Sequence, residues 1–269
     1  ALAVARILTG RGYRVDTYLF NTGRHLSEDC ETNRKRLADT PGAKLTEITS
    51  KFDPPQIAPS DILIDGLFGT GLNKPLEGGY ASLVNFINAT PATVVAIDIP
   101  SGLKSDGDAY TQHDAIVRAD YTFTFQLPKP AFFMADCSEC VGRWELLDIG
   151  LSAEGLASAR PLMSLTERTD IIALLKPRPA FGHKGTFGHA LLMAGSFGMA
   201  GAAVLSARAC LRAGVGKVTV HTPTANNDIL QVSVPEAILS HDASLEEFCT
   251  PIDTTPYTAV GIGPGIGLS

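Results

Sequence analysis

Short apolar runs alternate with amphipathic stretches along most of the chain, and glycine or proline marks most of the boundaries. Ala1 to Leu8 has helical periodicity and is ended by Gly10. A strand is predicted over Tyr13 to Phe20 and a helix over Glu31 to Ala38. Asp61-Ile62-Leu63-Ile64, apolar with acidic ends, reads as a buried parallel strand whose C-terminal edge is Asp65. Tyr80 to Ile87 has apolar positions at 80, 83, 84 and 87 and predicts a helix; Thr93 to Ile97 is the next buried strand. Two more strands follow, Ala119 to Phe125 and Arg143 to Leu147. A proline-bearing seam over Ala157 to Ala180 holds one short helix near Thr166 to Leu175. The pattern then restarts with a strand at Gly188 to Met193, an alanine-rich helix at Gly201 to Ala213 and a strand at Gly216 to His221. A weaker strand near Ile229 to Val232 and a last one near Thr258 to Ile262 complete it.

Strand–helix alternation on both sides of the seam predicts an α/β protein of two doubly wound units, residues 1–155 and 156–269. No internal repeat of 20–50 residues is present. The opening helix has no cap and no strand before it, which is the pattern of an interior piece of a βαβ unit. The second unit stops directly after a glycine-rich loop. The expectation is therefore a chain clipped at both ends.

Composition narrows the partners. A net charge of −6, with no basic run longer than Arg34-Lys35-Arg36, weighs against nucleic acid. No apolar stretch reaches the length of a membrane span. Five scattered cysteines and the lack of a leader favour free thiols in a reducing compartment, so a cytoplasmic location is expected. Cys137 and Cys140 form a CxxC that precedes a strand rather than opening a helix after one, and it is read as a surface turn.

Candidate chemistry gathers at the predicted C-terminal strand edges, where ligands of open parallel sheets bind. Asp65 and Asp98 each close or follow a strand, 33 residues apart, about one strand-helix-strand unit. Their carboxylates suit proton transfer or metal coordination, and capping of the next turn is the structural alternative. Gly69-Thr70-Gly71-Leu72-Asn73-Lys74-Pro75 offers exposed amides followed by a cation, which suits a pyrophosphate. Ser101 and Gly102, just beyond Asp98, offer a hydroxyl and carbonyls that could complete a cation site. His113 reads as a surface or capping histidine and Asp106-Gly107-Asp108 as a turn.

Asp65 to Pro75 and Ala96 to Gly102 resemble the N-terminal YjeF domain, the NAD(P)H-hydrate epimerase, and the resemblance covers nearly all of residues 1–150. It implies a Rossmann-like three-layer fold. By matching position it makes Asp98 the catalytic carboxylate and Asp65 and Ser101 ligands of a potassium ion. Gly69 to Pro75 would cradle the hydrated nucleotide. The family's Asn-Asn-Gly-Gly-Asp motif, which shares the potassium, is expected just upstream of Ala1.

In the second unit His183-Lys184-Gly185 precedes a strand, Gly195-Ser196-Phe197-Gly198-Met199-Ala200-Gly201 opens a long helix, and Gly263-Pro264-Gly265-Ile266-Gly267 follows another strand. Glycine-rich turns of this kind allow close approach to an anion at a helix N-terminus, or else serve helix packing. Lys184 is read as a phosphate contact or a solvated lysine, Arg208 and Arg212 as solvated or salt-bridged, and His221 as a locally satisfied histidine. These segments look like the ribokinase-like domain of the same family, the ADP-dependent NAD(P)H-hydrate dehydratase (ATP-dependent in eukaryotes). The resemblance implies that Lys184, Ala202 and the loop holding Gly263, Gly265 and Gly267 face the substrate. It places the dehydratase aspartate and anion hole beyond residue 269.

The leading expectation is thus a bifunctional nicotinamide-nucleotide repair enzyme, using ADP and potassium on NAD(P)H hydrate as substrate, and forming a homo-oligomer without nucleic-acid or membrane partners. A ribokinase-like small-molecule kinase fused to a non-catalytic dinucleotide-binding module is the alternative.

Overall fold

The structure, a computed structural model, describes residues 1–23, 25–106, 115–161, 163–175 and 177–267. His113, Gly107 and Asp108 lie outside the described residues. The chain divides into two compact units, Ala1–Leu165 and Thr166–Ser269. Among the described residues every paired strand runs parallel to its neighbours, giving the expected α/β class.

The first unit opens on helix α1 (Leu2–Gly10) and strand β1 (Asp16–Phe20). Helix α2 (Glu28–Ala38) begins three residues before the predicted start, because the Ser27 hydroxyl caps it by accepting from the Cys30 amide at 3.2 Å. Glu28, Asp29 and Glu31 then sit where the helix dipole favours negative charge. Strand β2 (Lys44–Ile48), absent from the sequence reading, pairs with β1 from Asp16↔Lys44 to Phe20↔Ile48. The main sheet has the order β3 (Ile62–Asp65), β4 (Thr93–Ile97), β5 (Tyr121–Phe125), β6 (Arg143–Leu147). β3 is not the buried strand expected: it is outermost in this sheet, with Ile62 66% and Ile64 37% exposed.

Helix α3 (Gly78–Asn88) crosses between β3 and β4 and buries Leu83, Val84 and Ile87 against Val94, Ala96, Val117 and Ala119. Each such fully buried aliphatic side chain contributes about 2 kcal/mol. A second cluster joins Ile99, Leu103 and Ile116 to Ala131, Phe132, Cys137, Cys140 and Val141. The CxxC is therefore part of the core, where its last residue lies in the single-turn helix α4 (Ser138–Val141), and not a surface turn. Burial raises the Cys137 thiol above its ordinary range. Helix α5 (Ala153–Ser158) ends the secondary structure of this unit.

The second unit begins with α6 (Arg168–Leu174). Its sheet has the order β10 (Ala259–Ile262), β7 (His189–Met193), β8 (Lys217–Thr222), β9 (Ile238–His241). Helix α7 (Ala200–Arg212) buries Ala200, Ala203 and Ala207, and these small side chains let it approach Val218 and Val220 closely. The segment expected as a weak strand near Ile229 to Val232 is helical, in α8 (Asn227–Ser233); it buries Leu230 and leaves Val232 82% exposed. The strand that completes the edge is β9 instead, which the sequence reading missed.

Candidate functional site

β3 and β4 pair from Ile62↔Thr93 to Asp65↔Ala96, so Asp65 and Asp98 come off the same end of neighbouring strands. Asp98 stands just past β4 with φ of 69°, the left-handed region that costs a non-glycine residue energy. The Ile99 amide closes over it onto the Ile97 carbonyl at 2.9 Å, a tight three-residue turn. That turn throws the Asp98 side chain towards the end of β5. Its Oδ1 accepts from Lys129 Nζ at 2.7 Å, the Phe125 amide at 3.2 Å and Thr124 Oγ1 at 3.5 Å. Oδ2 takes no hydrogen bond from the described residues.

Lys129 was not singled out from the sequence for chemistry. Its ammonium also donates to Thr124 Oγ1 at 2.9 Å and to the carbonyls of Phe125 and Leu127 at 3.0 and 3.1 Å. Side-chain exposure is 12% for Lys129 and 18% for Asp98. A pair so far withdrawn from water, with well-placed bonds on the cation, is electrostatically much stronger than a surface salt bridge.

Asp65 is held differently. It is only 2% exposed, and its Oδ1 accepts from Ser101 Oγ at 2.6 Å and the Leu67 amide at 3.2 Å, while Oδ2 accepts from the Ser101 amide at 2.7 Å. Burial raises its carboxyl above the ordinary 3.8, against the opposing pull of the Ser101 hydroxyl, the Ser101 amide and the Leu67 amide. Ser101 Oγ in turn accepts from the Phe68 amide at 3.0 Å. The chain reaches this geometry only because residue 102 is glycine. Gly102 has φ of 98°, and a Cβ there would lie 2.2 Å from the Ala115 carbonyl oxygen.

The structure therefore joins Asp65 to Ser101 and, separately, Asp98 to Lys129, with Ile99 and Pro100 between the two. The Asp65–Ser101 donor set is all oxygen, with one buried carboxylate whose ionised form lacks a cationic partner among the described residues, which suits a hard, weakly charged cation. Among the described residues no group of three or more His, Cys, Asp or Glu gathers as a polydentate metal site.

Gly69, Thr70, Gly71, Asn73, Lys74 and Pro75 form an exposed turn after β3, with Leu72 half-buried against the core and its amide on the Gly69 carbonyl at 3.3 Å. A Cβ at Gly69 or Gly71 would meet nothing within 4 Å. The space over these glycines is open to a ligand.

In the second unit the two glycine loops meet at the C-terminal ends of β7 and β10. The Gly195 amide donates to the Pro264 carbonyl at 2.9 Å, and the Ser196 amide to the Gly265 carbonyl at 2.5 Å. Gly265 lies on Ala202 and Met199, where a Cβ would come within 2.9 Å of the Ala202 methyl. Gly263 and Gly267 are exposed on the same loop. Lys184 is not brought to them. Its carbonyl lies against Gly216, before β7 and β8 begin, at the opposite end of the sheet. His221 is satisfied internally, by Ser240 Oγ at 3.0 Å and Asp242 Oδ2 at 3.2 Å, and Arg208 donates to the Ser233 carbonyl at 2.9 Å.

Residues 1–131 match the family model of the YjeF-related protein N-terminus, and residues 190–269 that of NAD(P)H-hydrate dehydratase. The chain is 32% identical to the bifunctional NAD(P)H-hydrate repair enzyme Nnr of Moorella thermoacetica, over 98% of this chain and 52% of that protein. It is 35% identical to the bifunctional NAD(P)H-hydrate repair enzyme of Leishmania major, over 82% of this chain and 41% of that protein. A crystal structure of the ADP/ATP-dependent NAD(P)H-hydrate dehydratase from Bacillus subtilis aligns at 33% identity, with a TM-score of 0.30, over 36% of this chain and 35% of that one. The chain spans about half the length of the curated relatives it matches. Both segments occur in one chain, which is similar over nearly its whole length to part of the bifunctional NAD(P)H-hydrate repair enzymes of these organisms.

Proposed function

We propose that residues 1–155 interconvert the R and S forms of NAD(P)H hydrate, and that residues 156–269 supply the front part of a unit that dehydrates the S form at the expense of ADP. The observation that carries the first half is Asp98, a carboxylate in a strained turn at a sheet's C-terminal edge, with one oxygen fixed by Lys129 and the other without a hydrogen bond from the described residues.

The hydrate is a hemiaminal, with a hydroxyl and the ring nitrogen N1 both on C6. Asp98 Oδ2 takes the hydroxyl proton and passes it to N1 as the C6–N1 bond breaks, so that C6 becomes an aldehyde carbon. Rotation and reclosure of N1 on the other face of C6, with Asp98 taking the N1 proton and returning it to the C6 oxygen, gives the opposite epimer. No electrons leave the ring. Lys129 keeps Oδ1 occupied, which fixes the carboxylate plane and leaves Oδ2 to do the transfer. The open turn Gly69 to Pro75 would hold the phosphates through amides and Lys74. Asp65 and Ser101 would hold a potassium ion, which when bound supplies positive potential to the ligand's phosphates.

In the second unit, Ala202 and the loop of Gly263, Gly265 and Gly267 would line the dehydratase substrate. The close backbone approach of the two glycine loops supports that reading. The test is direct: one purified epimer is incubated with the protein and both epimers are followed by chromatography. Interconversion well above the spontaneous rate, lost in Asp98→Asn, is expected; an unchanged rate in that variant refutes the proposed role.

A further inference from the structure

Among the described residues, the non-glycine positions with positive φ are Asp98 at 69° and Gln126 at 59°. They occupy equivalent places on neighbouring strands, Asp98 just past β4 and Gln126 just past β5. The backbone repeats itself there. The Asp98 amide donates to the Phe123 carbonyl at 2.8 Å, and the next amide, Ile99, folds back onto Ile97. The Gln126 amide donates to the Leu147 carbonyl at 2.8 Å, and the next amide, Leu127, folds back onto the Phe125 carbonyl at 2.6 Å. Both are the rare, strained hand of a three-residue turn. The side chains repeat the pattern too, each reaching over the end of the next strand in the sheet. Asp98 Oδ1 accepts from the Phe125 amide at the end of β5. Gln126 Oε1 accepts from the Ile149 amide at 3.0 Å and the Leu151 amide at 3.4 Å, just beyond β6.

One lysine ties the two turns together. The Lys129 ammonium has three N–H groups and four acceptors: Asp98 Oδ1, Thr124 Oγ1 and the carbonyls of Phe125 and Leu127. Those two carbonyls flank Gln126. In an extended chain they would stand about 6.6 Å apart, too far for one ammonium to bond both at 3.0 and 3.1 Å. The turn at Gln126 brings them onto a single nitrogen. A strand continuing past Phe125 would carry the Leu127 carbonyl away and leave Lys129 free to swing.

Glutamine has no preference of its own for positive φ, and glycine would make the same turn without strain. Backbone strain of this kind persists only where the surroundings over-determine it. What the side chain at 126 adds is its grip on the two amides beyond β6.

We propose that Gln126 is a positioning residue for epimerisation: its hold on Ile149 and Leu151 fixes the turn that fixes Lys129, and through Lys129 the plane of the Asp98 carboxylate. The inference rests on the epimerase reading for the reaction, and the test separates the two. Gln126→Gly removes the grip while accepting the turn, so the fold is kept. It lowers kcat by about 10–10²-fold with little change in KM, the signature of a misplaced group. The double variant Gln126→Gly with Lys129→Met is no slower than Lys129→Met alone, because residues that act through one another are not additive. In a crystal structure of Gln126→Gly the Lys129–Asp98 contact, 2.7 Å in the unmodified protein, opens beyond hydrogen-bond distance. An unchanged kcat, a change confined to KM, or losses that multiply in the double variant overturns the proposal. If the contact opens but the unmodified protein does not interconvert the epimers, the epimerase reading fails and the positioning of Asp98 stands. If the unmodified protein interconverts them and Gln126→Gly does so at the same kcat with the contact intact, the reading stands and the positioning fails.

Discussion

Lys129 Nζ lies 2.7 Å from Asp98 Oδ1, across the ends of two adjacent strands, and the same ammonium holds the β5 end through Thr124 and Phe125. Four contacts on one cation make it the fixed point about which the carboxylate is oriented. Asparagine tolerates the left-handed backbone that Asp98 adopts, so Asp98→Asn tests the acid–base role without unsettling the turn. That variant lowers kcat for epimerisation by about 10²–10⁴-fold. Lys129→Met lowers kcat about 10²-fold with little change in KM, because it misplaces the carboxylate and leaves the phosphate turn intact. A change confined to KM in either variant would remove both residues from the chemical step.

Asp65 and Ser101 are bound to each other by two hydrogen bonds and, among the described residues, to nothing cationic. Exchanging potassium for a large organic cation lowers the epimerisation rate of the unmodified protein, and Asp65→Asn erases that dependence. Ser101→Ala removes the acceptor of the Phe68 amide as well as a donor to Asp65, and costs about 1–3 kcal/mol of stability. The measurements are epimer interconversion at matched ionic strength and denaturant unfolding. A rate insensitive to the cation would leave Asp65 as a purely structural carboxyl.

Gly102→Ala should prevent the first unit from folding properly. The new methyl would sit 2.2 Å from the Ala115 carbonyl, on a backbone already at φ of 98°. The left-handed strain alone costs about 1–3 kcal/mol, and the clash with main chain adds to it. Thermal unfolding followed by circular dichroism is expected to show a loss of at least about 3 kcal/mol in this unit. A melting curve matching that of the unmodified protein would mean that the turn at residue 102 has another conformation.

The alternation of apolar runs with amphipathic stretches was enough to give the class, the parallel pairing and the common edge of Asp65 and Asp98. Interactions distant in sequence were not legible. β3 has the composition of a central strand, and only the pairing order makes it outermost. Ile229-Leu230-Gln231-Val232 is too short for periodicity to separate strand from helix. The chain settles it by burying Leu230 against the α7 cluster and leaving Val232 outside. β2 and β9 are short edge segments with few buried positions. Lys129 sits in an ordinary Leu-Pro-Lys-Pro stretch; what marks it is the return of the chain across the end of β5, which no local pattern encodes.

Asp242 gives the second unit a titration of its own. It is 2% exposed, and burial alone would raise its carboxyl. The Cys249 thiol at 2.9 Å and the amides of Ser244, Thr250 and Cys249 at 3.1, 3.0 and 3.1 Å outweigh burial and hold it far below the ordinary 3.8. A carboxyl depressed by folding stabilises the native state above its unfolded value. That contribution is lost as pH falls through the acid range towards the folded value. The loop it anchors also touches the glycine turn, since the Phe197 amide donates to the Glu246 carbonyl at 2.9 Å. Asp242→Asn turns an acceptor into a partial donor facing amide donors, and costs about 3 kcal/mol at neutral pH. The gap in unfolding free energy between variant and unmodified protein narrows as pH drops below 3.8. A gap that stays constant across the acid range would show that the ionised carboxylate is not what holds the loop.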